Sequence, residues 1–110
     1  MKDSASQINT AIVGFTDVVE LTISQTVESS YDLTVVLANS DLAVVKLECF
    51  EVSNLAIAKF GDGLTQFLCL RAEDVSAPHL DKVSLRFTDL EQDAIAFDCS
   101  SACVSSVRIS

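Results

Sequence analysis

The feature that most constrains the fold is a pair of alternating segments, residues 31–38 and 42–49, joined by the polar residues Asn39, Ser40 and Asp41. Odd positions are apolar in both arms, among them Leu33, Val35, Val45, Leu47 and Cys49. Successive strand residues point to opposite faces, so this spacing collects those side chains on one face of a hairpin. A three-residue loop at 39–41 sets Leu33 opposite Leu47, Val35 opposite Val45 and Tyr31 opposite Cys49, with Thr34 facing Lys46 on the other side. Asp32 and Glu48 then oppose each other on the outward face. A two-residue loop would put Leu33 against Lys46, so the loop fixes the register.

The last third repeats the pattern. Val83, Leu85 and Phe87 alternate with polar residues, Leu90, Glu91 and Gln92 form the loop, and Ile95, Phe97 and Cys99 alternate again. This register pairs Phe87 with Ile95 and Leu85 with Phe97. It sets Arg86 diagonally from Asp98 and brings the like charges of Asp89 and Asp93 together at the tip.

Between and around these hairpins, residues 18–26 alternate with Val19, Leu21 and Ile23 inward. A short strand follows the Ser53-Asn54 break at 55–60. Gly61 and Gly63 mark a turn, because glycine enters positive φ without a steric cost. Residues 65–72 carry the apolar run Phe67 to Leu70, which reads as burial on both faces, and 104–109 form a last strand. Residues 1–6 read as a frayed terminus and 7–13 as irregular chain or a short strand.

The expectation is one all-β domain over residues 1–110, mainly antiparallel, a β-sandwich or rolled sheet of about seven strands. Val36, Val44, Leu68 and Leu70 fall out of phase with the core or in a continuous run, and need cover from a second sheet or from a second copy of the chain in a homodimer.

Half of the residues are apolar, which excludes disorder. The net charge of −9 excludes a phosphate-neutralising surface, so no nucleic acid is expected as a partner, and an anionic membrane is disfavoured for the same reason. No segment approaches the ~18 continuous apolar residues of a membrane span. The N-terminus lacks the basic-then-apolar pattern of a signal peptide, which makes the cytoplasm the expected compartment.

Catalytic chemistry has little to build on. The four cysteines include no Cys-x-x-Cys pair, and read as buried reduced thiols, with a Cys99–Cys103 bridge as the alternative that spacing allows. His79 is the one histidine and would have to serve any Cys–His or Ser–His mechanism, yet it sits in a loop-like stretch beside Pro78. Asp89, Glu91 and Asp93 alternate as calcium ligands do, but Ala94 stands where an EF-hand loop requires glycine. No enzyme, cofactor or metal site is expected.

Leu47 to Leu55, Phe60-Gly61, Gln66, Thr88 to Glu91 and Ile95 to Cys99 together form a pattern that resembles small uncharacterised bacterial β-sheet proteins. Some of those resemble immunity proteins, and similar accessory proteins travel in mobile gene cassettes. The resemblance implies a partner-binding accessory role and carries no catalytic residues.

Two functions follow as expectations. The first is a small acidic interaction protein, of the immunity type in its sharpest form, that binds a basic protein partner through Asp32, Glu48, Asp89, Glu91 and Asp93. The second is a ligand-binding module with an apolar pocket walled by Phe50, Phe60 and Phe67.

Overall fold

The computed structural model describes residues 3–26, 29–58, 60–61, 63–75 and 84–107; His79, Pro78 and Val83 lie outside them. One helix, α1 (Ala5–Ile12), precedes eight strands: β1 (Asp17–Gln25), β2 (Tyr31–Ala38), β3 (Val44–Phe50), β4 (Ser53–Ile57), β5 (Leu70–Asp74), β6 (Leu85–Asp89), β7 (Ile95–Cys99) and β8 (Ser101–Val107). They form two four-stranded antiparallel sheets, β1-β2-β3-β8 and β4-β7-β6-β5. The architecture is an all-β sandwich.

The second sheet has Greek-key order: β5, β6 and β7 run consecutively, and β4 lies beside β7 after a long connection, residues 58–69. The chain crosses between sheets twice at one end of the sandwich, after β3 and after β7. Ser100 ties these crossings together, donating from its backbone N–H to the Phe50 carbonyl at 3.0 Å and from its hydroxyl to Glu51 Oε1 at 3.0 Å. Glu51, at φ 53°, takes the left-handed conformation that turns the first crossing.

The core follows the alternation. Leu33, Val35, Leu37, Leu47 and Cys49 of the first sheet face Phe87, Ile95, Phe97 and Cys99 of the second, all buried. Phe87 and Phe97 are directly paired across β6 and β7, with ring centroids 4.9 Å apart and nearly parallel.

Both hairpins keep the expected faces but not the expected register. Leu33 opposes Cys49 and Val35 opposes Leu47; Leu85 opposes Cys99 and Phe87 opposes Phe97. In each case the partner lies two residues further along the second arm. In the first hairpin the cause is the first residue of the turn. Asn39 stays in the ladder, its N–H donating to the Ala43 carbonyl at 3.0 Å, while its Oδ1 accepts from the N–H groups of Asp41 and Ala43 at 3.0 and 2.9 Å. The loop is therefore Ser40, Asp41 and Leu42, with Leu42 at φ 63° in the position a three-residue hairpin loop usually gives to glycine. In the second hairpin Asp89, the last residue of β6, caps the tip with its carboxylate, accepting from Glu91 and Ala94 N–H, and Asp93 takes φ 52°.

Three further readings are corrected. Residues 5–12 are helical, because Ser4 and Gln7 form a reciprocal capping box and Ile8 and Ile12 share one buried face. Val19 is exposed, because a bulge between Val18 and Glu20 puts Val18 inward opposite Leu37. The run Phe67 to Leu70 is not a doubly buried strand: Phe67 and Leu70 enter the core, whereas Leu68 is exposed on a turn before β5.

Candidate functional site

The strands divide the surface into two ends and two sides. One end holds the crossings at 51–52 and 100. The opposite end gathers residues 13–16, the 39–43 hairpin tip, the described residues between β4 and β5 and the 90–94 tip. Hydrogen bonds knit this loop end together: Gln66 Nε2 donates to Asp17 Oδ1 at 2.8 Å, Leu90 N–H to the Cys69 carbonyl at 2.9 Å, and Ala58 N–H to the Ala94 carbonyl at 2.8 Å. On this framework Leu42, Phe60, Leu64 and Leu90 stand more than half exposed. Asp41, Glu91 and Asp93 are exposed beside them.

The acids proposed from sequence separate into three kinds. Glu91 and Asp93 lie exposed at the loop end. Asp89 does not join them: it is 0 % exposed, and its carboxylate accepts three backbone N–H groups, from Cys69 at 3.0 Å and from Glu91 and Ala94 at 3.2 Å each. It holds the β6–β7 tip against the chain entering β5, so it is a structural residue. Asp32 and Glu48 lie on the outer face of the first sheet but are not opposed; Asp32 pairs with Ser24 and Glu48 with Thr34. Asp32 also accepts from Glu51 N–H at 3.3 Å. The local signal for Asp89 was the Asx residue followed by a short tip, the same signature as Asn39; its third donor, Cys69, is twenty residues away in sequence.

Phe50, Phe60 and Phe67 do not share a pocket. Phe67 fills the core, Phe60 is exposed at the loop end, and Phe50 ends β3 at the crossing end, half-buried. A groove of ≈ 310 Å³ exists elsewhere, on the β1/β4 side, with Ile23, Tyr31, Leu33, Val52 and Leu55 in its walls.

Two of the thiols, Cys49 and Cys103, are poorly suited to nucleophilic chemistry. All four cysteines are free. Burial pushes the Cys49 thiol well up, and the Cys99 thiol beside it adds to the shift; burial and then Glu48 raise Cys103. Both are thiols rather than thiolates at neutral pH. Cys49 and Cys99 are both buried in the core between the sheets, and Cys99 is not bridged to Cys103. Among the described residues no three of His, Cys, Asp and Glu converge as metal ligands, and no helix is long and apolar enough to cross a membrane.

With this geometry in hand, comparison with protein families, curated proteins and solved structures finds no match. Function rests on the surface itself.

Proposed function

We propose that this chain is a small acidic interaction domain that binds a protein partner at its loop end. The observation that supports the reading is that large apolar side chains and carboxylates are exposed at the same end of the sandwich: Leu42, Phe60, Leu64 and Leu90, with Asp41, Glu91 and Asp93 on the same two hairpin tips as Leu42 and Leu90. Large apolar side chains left exposed at one end of a fold, among carboxylates, mark that end as a candidate docking surface. The loop end is anchored to the strands by the hydrogen bonds of Asp89 and Gln66. Its chemistry suits a partner that presents apolar side chains framed by Lys or Arg, and the net charge of −9 would speed the encounter. An immunity-type role, in which such a surface occludes a basic enzyme, is the most specific form of this proposal.

The test is affinity capture followed by identification and calorimetry of the captured protein. Glu91→Lys combined with Asp93→Lys should weaken that binding at least tenfold, while Glu20→Lys combined with Glu48→Lys, on the outer sheet face, should weaken it far less. Equal loss from both pairs would reduce the effect to net charge and remove the loop end from the reading.

A further inference from the structure

The two sides of the sandwich are finished differently. A sheet edge exposes unpaired N–H and C=O groups, and folded proteins cover or blunt such edges. On one side lie the edges of β8 and β5, and the N-terminal segment closes both. Asp3 N–H donates to the Ala102 carbonyl at 2.9 Å and Asp3 Oδ2 accepts from Val104 N–H at 2.8 Å, along β8. Asn9 on α1 exchanges two hydrogen bonds with Ala72 of β5. Ile8 and Ile12 complete the seal from within the core.

On the other side lie β1 and β4. β4 is blunted by a bulge between Ser53 and Ala56, with Asn54 at φ 54°. β1 is covered only at its start, where Val18 N–H donates to the Thr65 carbonyl and Phe67 N–H to the Thr16 carbonyl, each at 2.9 Å. Beyond the Val18/Glu20 bulge, residues 20–25 pair in unbroken register with β2, and among the described residues nothing pairs with their outer edge. Beside that open ladder runs the apolar groove between β1, β2 and β4, with Ile23 49 % exposed in its wall.

We propose that residues 20–25 of β1 receive an extended segment of a partner protein by strand addition, a segment in which apolar residues alternate with Lys or Arg. Main-chain bonds to the β1 edge would supply affinity, and the period of two would drop every second side chain into the groove against Ile23 and Leu55. The remaining side chains would emerge beside the outer face of β1 and β2. Among the described residues that face of the sheet carries Glu20, Asp32 and Glu48 against one cation, Lys46, whose ammonium lies 4.0 Å from Glu48, so the complementary charge is positive. A second copy is disfavoured as occupant, because edge-to-edge pairing of two β1 strands would bring together two chains that each carry a net charge of −9. This proposal stands independently of the loop-end reading.

The probe is a synthetic ten-residue peptide alternating valine and lysine, used with the full chain. Two controls accompany it: the same peptide N-methylated at alternate residues on its ladder-facing side, and a peptide of equal composition with valines and lysines in separate blocks. Fluorescence anisotropy and backbone amide shifts should show binding of the alternating peptide, shifts concentrated at residues 20–25 and 52–55, and at least tenfold weaker binding of both controls. Ile23→Lys, at a half-exposed position that leaves the core filled, should weaken it by a similar factor with an unchanged melting temperature. Glu91→Lys with Asp93→Lys should leave the site of the shifts unchanged, which separates this result from failure of the loop-end reading. Equal binding of all three peptides, shifts centred elsewhere, or no binding at millimolar peptide would each overturn the proposal. A concentration-dependent dimer abolished by Ile23→Lys would also overturn it, by making a second copy the occupant.

Discussion

The side-chain amide of Asn9 behaves as a one-residue strand against Ala72: Nδ2 donates to the Ala72 carbonyl at 2.9 Å and Oδ1 accepts from its N–H at 2.7 Å, across sixty-three positions of sequence. A helix residue thereby satisfies both backbone groups that the edge of β5 would otherwise leave open at that position. Removing it strands two partly buried polar groups. Asn9→Ala should destabilise the fold by about 1–3 kcal/mol in urea denaturation. The Ala72 amide should also exchange faster with solvent deuterium, and unchanged exchange would remove the edge-closing role.

Asp89 gives the sharpest contrast within one hairpin tip. Asp89→Ala leaves the N–H groups of Cys69, Glu91 and Ala94 without their shared acceptor and should cost on the order of 3 kcal/mol. Glu91→Ala, exposed two residues away, should stay within about 0.5 kcal/mol. Comparable midpoints for both variants in chemical denaturation would contradict the assignment of Asp89 as a structural acceptor.

Leu42 holds φ at 63° with its side chain 77 % exposed, so it carries the left-handed penalty with little burial in return. Leu42→Gly should therefore stabilise the protein, by up to about 1 kcal/mol after the added flexibility of the unfolded chain is subtracted. A fall in melting temperature would mean that Leu42 contributes contacts that outweigh the strain.

Arg86 and Asp98 are directly paired across β6 and β7, Nε donating to Oδ1 at 2.8 Å, and Asn54 donates to Oδ2 at 3.1 Å. The Arg86 hydrogen bond holds the Asp98 carboxyl below the usual range against the opposing effect of burial, and the Asn54 bond assists it. A carboxyl whose folded pKa is depressed adds stability that is present above its unfolded pKa, near 4 in model peptides, and lost as pH falls through the folded value. Asp98→Asn should accordingly flatten the loss of stability below about pH 4. Parallel acid limbs for wild type and variant, followed by circular dichroism, would show that the pair does not contribute.

The alternation of residues 31–49 and 83–99 determines which side chains face inward, because a strand's side-chain period of two is local and independent of what the strand pairs with. Leu33, Val35, Leu47, Phe87, Ile95 and Phe97 are core on that ground alone, and the all-β class follows from it. The helix was misread as a frayed terminus and a short strand, because the β-branched content of 7–13 outweighed the helical spacing of Ile8 and Ile12; the capping pair Ser4 and Gln7 is the local signal for it.

Register, by contrast, is a two-residue step that preserves every face, so the hydrophobic pattern is blind to it. In the first hairpin the Asn39 side chain decides it by holding that residue against Ala43, which leaves Ser40, Asp41 and the left-handed Leu42 as the loop; in the second, the Asp89 carboxylate caps the tip ahead of the left-handed Asp93. Tertiary structure alone decides what becomes of the acids and the edges. Composition counts sixteen carboxylates as surface charge, but only the arrival of Cys69 N–H beside Asp89 makes that one a buried acceptor. Only the docking of Asp3 and Asn9 along β8 and β5 leaves β1 as the open side. Hydrogen-bond partners twenty to a hundred residues apart are brought together by packing, and no local periodicity encodes them.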